Sequence, residues 1–329
     1  MPTDISNRMI TGPGHQEVIE LIRNRIGGGR GIAPERRLAL VVEGGAMRGT
    51  YTSGALLGFH LLGATGIFDC TYATSAGAIN AAHFLSGVGH LKAATYYRAL
   101  ADGRFFNPRR LSKLVDIDFL FDVVLRMEIP LEIDRLVVSQ SPLKVAVLNC
   151  INGSGEMKDI VWDAPYAWDT LKAAVAMPVV YNRKVHLDEG LYVDGGMAIP
   201  YPLNAAIDDG MTDVVVLLSQ NPLLPVRSRG LSQYLLWWVF FARGKPALTR
   251  VFNDWRTTIN NLNEMVCGNS PSLGSVRILA IAPTQPNVRS STMDGTLLRN
   301  GCIEMASEVL SVFGASKDLV KNLIQQGTL

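Results

Sequence analysis

The chain has 329 residues, 48% hydrophobic and 18% charged, with a formal net charge of +2. That length accommodates roughly one or two domains of about 100–200 residues each and supports a large buried core. A disordered chain, a collagen-like repeat and a coiled coil are excluded, and a net charge near zero gives no global field for a polyanion, so no nucleic-acid partner is expected.

The longest strongly apolar run, Tyr234 to Ala242 (YLLWWVFFA), falls well short of the ~20 residues that span a bilayer. The first residues, MPTDISNRMITGPG, lack a basic stretch followed by an apolar one, so no secretory signal is expected. Cys70, Cys150, Cys267 and Cys302 make no CxxC pair and no disulfide framework. Reduced cysteines and a cytoplasmic location follow as expectations. His15, His60, His83, His90 and His186 show no metal-ligand spacing, so neither a metal nor a cofactor is expected.

In chain order, residues 1–14 read as a polar leader. Val18, Ile19, Ile22 and Ile26 recur at helical spacing over 15–26. The stretch IGGGRGIAPERR then reads as a linker, which sets residues 1–37 apart from a domain over 38–329. Arg23, Arg25, Arg30, Arg36 and Arg37 fit either a solvated flank or contact with anionic lipid heads. From 38 onward the pattern is α/β. Strands are expected at 38–43 (LALVVE), 68–74, 144–150, 212–219 and 276–282, the first reading as buried on both faces. Helices are expected at 50–62, 76–86, 168–177, 201–209, 247–266 and 296–313. Alternating strands and helices predict a mostly parallel sheet with right-handed crossovers. Residues 102–140 read as an insertion, and 221–270 as a second lid or insertion segment.

Three turns carry chemistry. Glu43-Gly44-Gly45-Ala46-Met47-Arg48-Gly49 lies between a strand and a helix. Small residues let its backbone N–H groups face outward at a helix start. Such a turn serves as a phosphate cradle or as an oxyanion hole, and it matches neither GxxxxGK[ST] nor GxGxxG. Ala73-Thr74-Ser75-Ala76-Gly77 differs by one residue from GxSxG, the nucleophile elbow. Ser75 reads there as a nucleophile or as an N-cap. Asp194-Gly195-Gly196 ends a strand-like approach. It offers a carboxylate base or a plain DG turn. No histidine has the setting of a triad base: His83 follows Ser75 by two helical turns and points back along its helix. A Ser–Asp pair is the more economical arrangement.

EGGAMRG, ATSAGA and AMPVV followed by YVDGG, in this order, resemble the patatin-like phospholipases, in particular their bacterial single-domain branch. The resemblance covers about residues 38–220 and continues plausibly to 283. It implies a three-layer α/β/α sandwich shared with acyl-carrier-protein acyltransferases. It implies Ser75 as nucleophile and Asp194 as base, with Gly195 and Gly196 in the base loop. Gly44, Gly45, Ala46, Met47 and Arg48 would form the oxyanion loop, and Ala73 and Gly77 would flank the elbow. The block AAVAMPVV (173–180) would pack beside the site. Ala46 and Ala73 stand where the family has glycine, and Ala73 is expected to narrow the acyl pocket or shift the serine.

The expected activity is a serine acyl hydrolase acting on phospholipids or lysophospholipids through an acyl-enzyme, without a metal. A soluble carboxylesterase or thioesterase with the same dyad, and a silent lipid-binding protein, are the alternatives. Residues 231–243, with Arg227, Arg229, Arg243 and Lys245 nearby, read as an interfacial helix for peripheral membrane contact or as a buried lid.

Overall fold

A computed structural model describes residues 10–88, 92–107, 109–110, 113–181, 183–187, 190–226, 231–270, 273–326 and 329. His90, Arg227 and Arg229 lie outside the described residues.

The apolar run at 38–42 forms the middle of a nine-stranded sheet. Its strands are β1 (Ile10–Thr11), β2 (Leu38–Val42), β3 (Cys70–Thr74), β4 (Leu143–Asn149), β5 (Gly155–Asp159), β6 (Val185–Leu187), β7 (Gly190–Asp194), β8 (Asp213–Leu217) and β9 (Arg277–Ile281). The spatial order is β1-β9-β8-β2-β3-β4-β7-β6, with β5 also paired to β4. From β9 to β4 every pairing is parallel. The outer strands β1, β5, β6 and β7 pair antiparallel.

Both faces of β2 are covered, which explains its unbroken hydrophobicity. Leu38, Leu40 and Val42 join the core on one face of the sheet. Ala39 and Val41 join the core on the other, with Tyr201, Ile259 and Leu262. On the first face lie helices α2 (Gly49–Leu61) and α3 (Ala76–Leu85), with the helix Gly295–Val312 packed along α2. The helices Leu203–Asp208 and Pro246–Val266 lie on the second. The result is the expected three-layer sandwich, with a parallel centre.

Residues 10–37 are built onto this sheet, although the sequence reads them as a leader, a short helix and a linker set apart from the domain. β1 pairs with β9, Ile10 facing Ile281. Helix α1 (His15–Gly28) buries Val18, Ile19, Leu21 and Ile22 and runs on into the glycine triplet. The arginines are tied down. Buried Arg25 donates to the Asp69 carboxylate at 2.7 Å and to the Arg36 carbonyl at 2.6 Å. Arg36 and Arg277 both grip buried Asp213, whose carboxyl these hydrogen bonds hold down at about 2 against its desolvation. The other three donate to distant carbonyls, Arg23 to Val312, Arg30 to Phe68 and Gln140, and Arg37 to Asp209.

Two irregular segments cover the end of the sheet where β2, β3 and β7 finish. The first runs from about 92 to 137, with π-helical turns at Thr95–Leu100 and Leu120–Glu128. It buries Phe105, Ile117, Leu120, Phe121 and Val124 in the same core as α2 and α3. Asp118 anchors it, accepting from Lys172 at 2.8 Å and from the Tyr181 hydroxyl at 2.7 Å. The second is the helix Leu231–Trp237, continued by a π-helical turn Trp238–Ala242 and followed by Pro246–Val266.

Candidate active site

Ser75 leaves β3 and opens α3 with φ 54° and ψ −133°. A positive φ is uncommon for a side chain other than glycine and costs roughly 1–2 kcal/mol. The turn is held by close packing on both sides. A Cβ on Gly44 would stand 2.5 Å from the Ser75 Cβ and 2.5 Å from the Thr74 carbonyl oxygen. A Cβ on Gly77 would stand 2.5 Å from the Val42 carbonyl oxygen. No real contact of that kind survives, so both positions require glycine. Ala73 is an ordinary, fully buried strand residue paired in register with Val42. It lines neither cavity beside Ser75; its side chain points into the core, so the expected narrowing of the acyl pocket does not occur through it.

The Ser75 hydroxyl does not cap α3; it faces the Asp194 carboxylate, whose ionised form it favours. Asp194 ends β7, opposite Val147 of β4. Its Oδ1 also accepts from the Gly196 amide at 2.8 Å. The loop beyond it is tied to the elbow by the Thr74 hydroxyl, which donates to the Ile199 carbonyl at 3.1 Å. Gly195 faces the β4 backbone, and Gly196 lies beside the carboxylate. Burial pushes the Asp194 carboxyl up to about 6, against the pull of its hydrogen bonds to Ser75 and Gly196. A carboxylate of that basicity is far better matched to accept a proton near neutrality than an ordinary aspartate near 3.9.

The glycine loop crosses in front of Ser75. Among the described residues, the amides of Gly44, Gly45 and Ala46 have no acceptor within the protein, whereas the last two amides of the expected oxyanion loop are engaged. The Met47 amide donates to the Ser290 carbonyl at 3.3 Å, and the Arg48 amide to the Gly45 carbonyl at 3.1 Å. Ala46 has φ 53°, a conformation that glycine adopts without strain, and its side chain lies at the junction of two cavities.

A buried group behind this loop carried no signal as a functional residue beyond being a charge at the end of an apolar strand. Glu43 accepts from the Ser219 amide at 2.6 Å, and it attracts Arg48, whose Nε donates to the Ser219 hydroxyl at 3.4 Å. Burial raises the Glu43 carboxyl and lowers the Arg48 guanidinium, and their attraction opposes both shifts. The pair fixes the loop to the end of β8.

None of the described histidines lines either cavity. His83 is buried with both ring nitrogens unpartnered and held neutral, its pKa pushed down to about 3 by desolvation and by Lys92. His186 is exposed on β6, and His60 lies against Thr65. Among the described residues no three His, Cys, Asp or Glu side chains converge as metal ligands.

Two cavities meet at Ser75. One is a narrow apolar pocket of about 30 Å³, walled by Ile79, Tyr96, Leu100, Phe105 and Leu120 among others. The other is a cleft of about 440 Å³ that contains Glu43, Arg48, Asp194, Gln220 and Gln233. Met177 lines both, and Met177–Val180 of the AMPVV block borders the cleft. Val179 there has φ 75°, a strained conformation for a β-branched residue.

Segment 231–243 has a buried side and an exposed side. Trp237 and Phe241 are buried, with the Trp237 indole donating to the Leu248 carbonyl at 3.0 Å. Leu236 and Trp237 border the cleft. Leu231, Leu235, Trp238, Val239 and Phe240 are exposed, Leu231 at 74% and Phe240 at 70%. Among the described residues, no helix is long and apolar enough to cross a membrane.

The strand–serine–helix elbow, the buried Asp194 carboxylate and the 44–46 loop thus share one cleft. The family model for patatin-like phospholipases matches residues 40–207, just over half of the chain. The chain belongs to this family, whose general class is that of lipid acyl hydrolases. The uncharacterized protein YjjU of Escherichia coli (strain K12) is 28% identical over 185 residues, which cover 55% of this chain and 51% of that protein. The chain thus spans about half the length of the curated relative it matches.

Proposed function

We propose that this chain hydrolyses acyl esters of phospholipids or lysophospholipids with a Ser75–Asp194 dyad. The observation that carries the reading is the placement of a strained, uncapped elbow serine and the buried Asp194 carboxylate in one cleft. Asp194 accepts the Ser75 proton as Oγ bonds the ester carbonyl carbon. The amides of Gly44, Gly45 and Ala46 receive the tetrahedral oxyanion, the geometry expected of an oxyanion hole. Collapse breaks the bond to the alcohol oxygen, which takes the proton from Asp194. Water then gives its proton to Asp194, attacks the acyl-enzyme and releases the fatty acid, returning the proton to Ser75.

Glu43 and Arg48 act as positioning residues for the loop. Segments 102–140 and 221–270 are read as the walls of the substrate site. The exposed face of 231–240 would rest on a lipid surface. Contiguous exposed apolar residues are rare on isolated proteins, and aromatic residues favour the interface. Arg243, over the Trp238 ring at the end of the segment, is suited to anionic heads, whereas the Lys245 amine is turned inward and donates to the Cys150 carbonyl at 2.9 Å.

A soluble esterase with the same dyad is the second reading, favoured by the small volume of the apolar pocket. The test is fatty-acid release from phosphatidylcholine and lysophosphatidylcholine vesicles with chelator present, for wild type, Ser75→Ala and Asp194→Ala. Release by wild type that both variants abolish is expected. Release that persists in Ser75→Ala overturns the dyad, and wild-type turnover confined to soluble esters replaces the lipase reading with the esterase.

A further inference from the structure

The two cavities that meet at Ser75 differ in chemistry, and this difference orients the substrate. We infer that the acyl chain enters the apolar pocket over α3 and the alcohol portion lies in the cleft, so that residues of α3 and of the 95–120 segment select acyl length. The inference rests on the proposed dyad.

The proton decides the direction. The leaving alcohol oxygen must collect its proton from Asp194, and Asp194 borders the cleft but not the apolar pocket. With the carbonyl carbon on Ser75 and its oxygen toward Gly44–Ala46, the remaining substituent, the acyl chain, points away from Asp194. That side is the pocket of Ala76, Ile79, Leu100, Phe105, Ile117 and Leu120.

The lining agrees. The polar groups on that wall are already satisfied within the protein. The Tyr96 hydroxyl donates to Asn80 at 2.9 Å, and the Thr95 hydroxyl donates to the Lys92 carbonyl at 2.5 Å. An alkyl chain therefore meets no unpaired donor or acceptor there. The cleft is lined in part by the polar side chains of Glu43, Arg48, Asp194 and Gln220, a wall that suits a polar glycerol or headgroup better than the apolar pocket does.

Size sets the limit. A volume of about 30 Å³ holds roughly two water-sized spheres. Only the first few carbons of a chain enter without displacing the walls, and longer chains must push aside Leu100, Phe105 or Leu120. Ile79 lies one helical turn beyond Ala76, so its side chain sets the width just past the reacting carbon. Leu120 begins a π-helical turn, a wall whose irregular backbone is cut back by a single truncation.

The test is the ratio of kcat/KM for p-nitrophenyl octanoate to that for p-nitrophenyl acetate, in wild type, Ile79→Trp and Leu120→Ala. The ratio is expected to fall at least tenfold in Ile79→Trp and to rise at least threefold in Leu120→Ala. A preference gained for the longer chain is not something a merely destabilised protein shows. Ratios unchanged in both variants, with turnover intact, overturn the pocket assignment and leave the dyad standing. Binding gives a second readout that needs no catalysis. In a Ser75→Ala background, saturation-transfer NMR with methyl octanoate should show contact that Ile79→Trp removes. Such contact without any wild-type turnover would keep the pocket and overturn the dyad. Neither contact nor turnover would overturn both.

Discussion

The reacting residues and the residues that wall the site are built in different ways. Ser75, Gly44–Ala46 and Asp194 all lie where buried strands end, at β3, β2 and β7. Each is fixed by close backbone packing or by a named hydrogen bond. The walls come from 95–128 and 231–266, where π-helical turns interrupt the helices and large apolar side chains remain exposed. π-helical turns are rare and gather at functional sites. Under the proposed dyad this contrast separates two jobs, the strand ends setting the rate of reaction and the irregular walls setting what reacts. Variants at strand ends should therefore slow every substrate alike, and variants in the walls should change ratios between substrates.

The largest effect is expected from Ser75→Ala, which should lower kcat about 10⁴-fold or more on every ester, measured with soluble esters and with vesicles. Gly44→Ala should do nearly as much by geometry, because its Cβ would lie 2.5 Å from the Ser75 Cβ. A folded, active Gly44→Ala protein would break the contrast.

Asp194→Asn should abolish turnover yet stabilise the fold. The Asp194 carboxyl, raised to about 6, favours the folded state only while protonated. That contribution is complete below the unfolded pKa near 3.9 and is lost as pH rises through about 6. The raised pKa corresponds to a cost of about 3 kcal/mol above pH 7. Thermal melting of Asp194→Asn should exceed that of wild type at pH 8, and the gap should narrow to about half at pH 5 and close only below about pH 3.9.

In the walls, replacing Leu235 and Phe240 together by serine should reduce the ratio of vesicle to soluble-ester hydrolysis about tenfold. Two exposed side chains lose some of the roughly 1.5–3 kcal/mol that each gains when it leaves water. An unchanged ratio would remove the lipid surface from the account.

The smallest effect should come from Ala46→Gly. Relief of φ 53° and the greater freedom of glycine in the unfolded chain oppose each other at about 1 kcal/mol each. Melting should shift by a few degrees at most, while acyl selectivity changes because the methyl group borders both cavities.

The strand ends were legible because their chemistry needs small residues at fixed spacing, and this leaves a local pattern. EGGAMRG, ATSAG and VDGG each announce a turn, and the family resemblance assembles them. The buried central strands were legible for the same reason, as unbroken apolar runs. Other features depend on partners distant in sequence. Nothing in Arg25 or Arg36 signals that Asp69 and Asp213 await them, so the arginines read as a solvated flank and residues 26–37 as a linker. Ala73 and Ala46 looked equivalent, yet only Ala46 reaches the cavities. The pairing of Glu43 with Ser219 spans 176 residues. The short outer strands β1, β5 and β6 carry little periodicity, and π-helical turns leave none that distinguishes them from helix. Segment 231–243 read ambiguously because it is two-faced, with Trp237 and Phe241 inward and Leu235 and Phe240 outward.

The central claim is that Asp194 activates Ser75. It is tested most directly by the rate of covalent labelling with a fluorophosphonate, followed from pH 4.5 to pH 9 with the modified residue identified by mass spectrometry. Labelling is expected at Ser75 alone, rising with pH through a midpoint near 6 as Asp194 ionises, and almost absent in Asp194→Asn. Labelling that leaves Ser75 unmodified, or that proceeds at wild-type rate in Asp194→Asn, would contradict that claim.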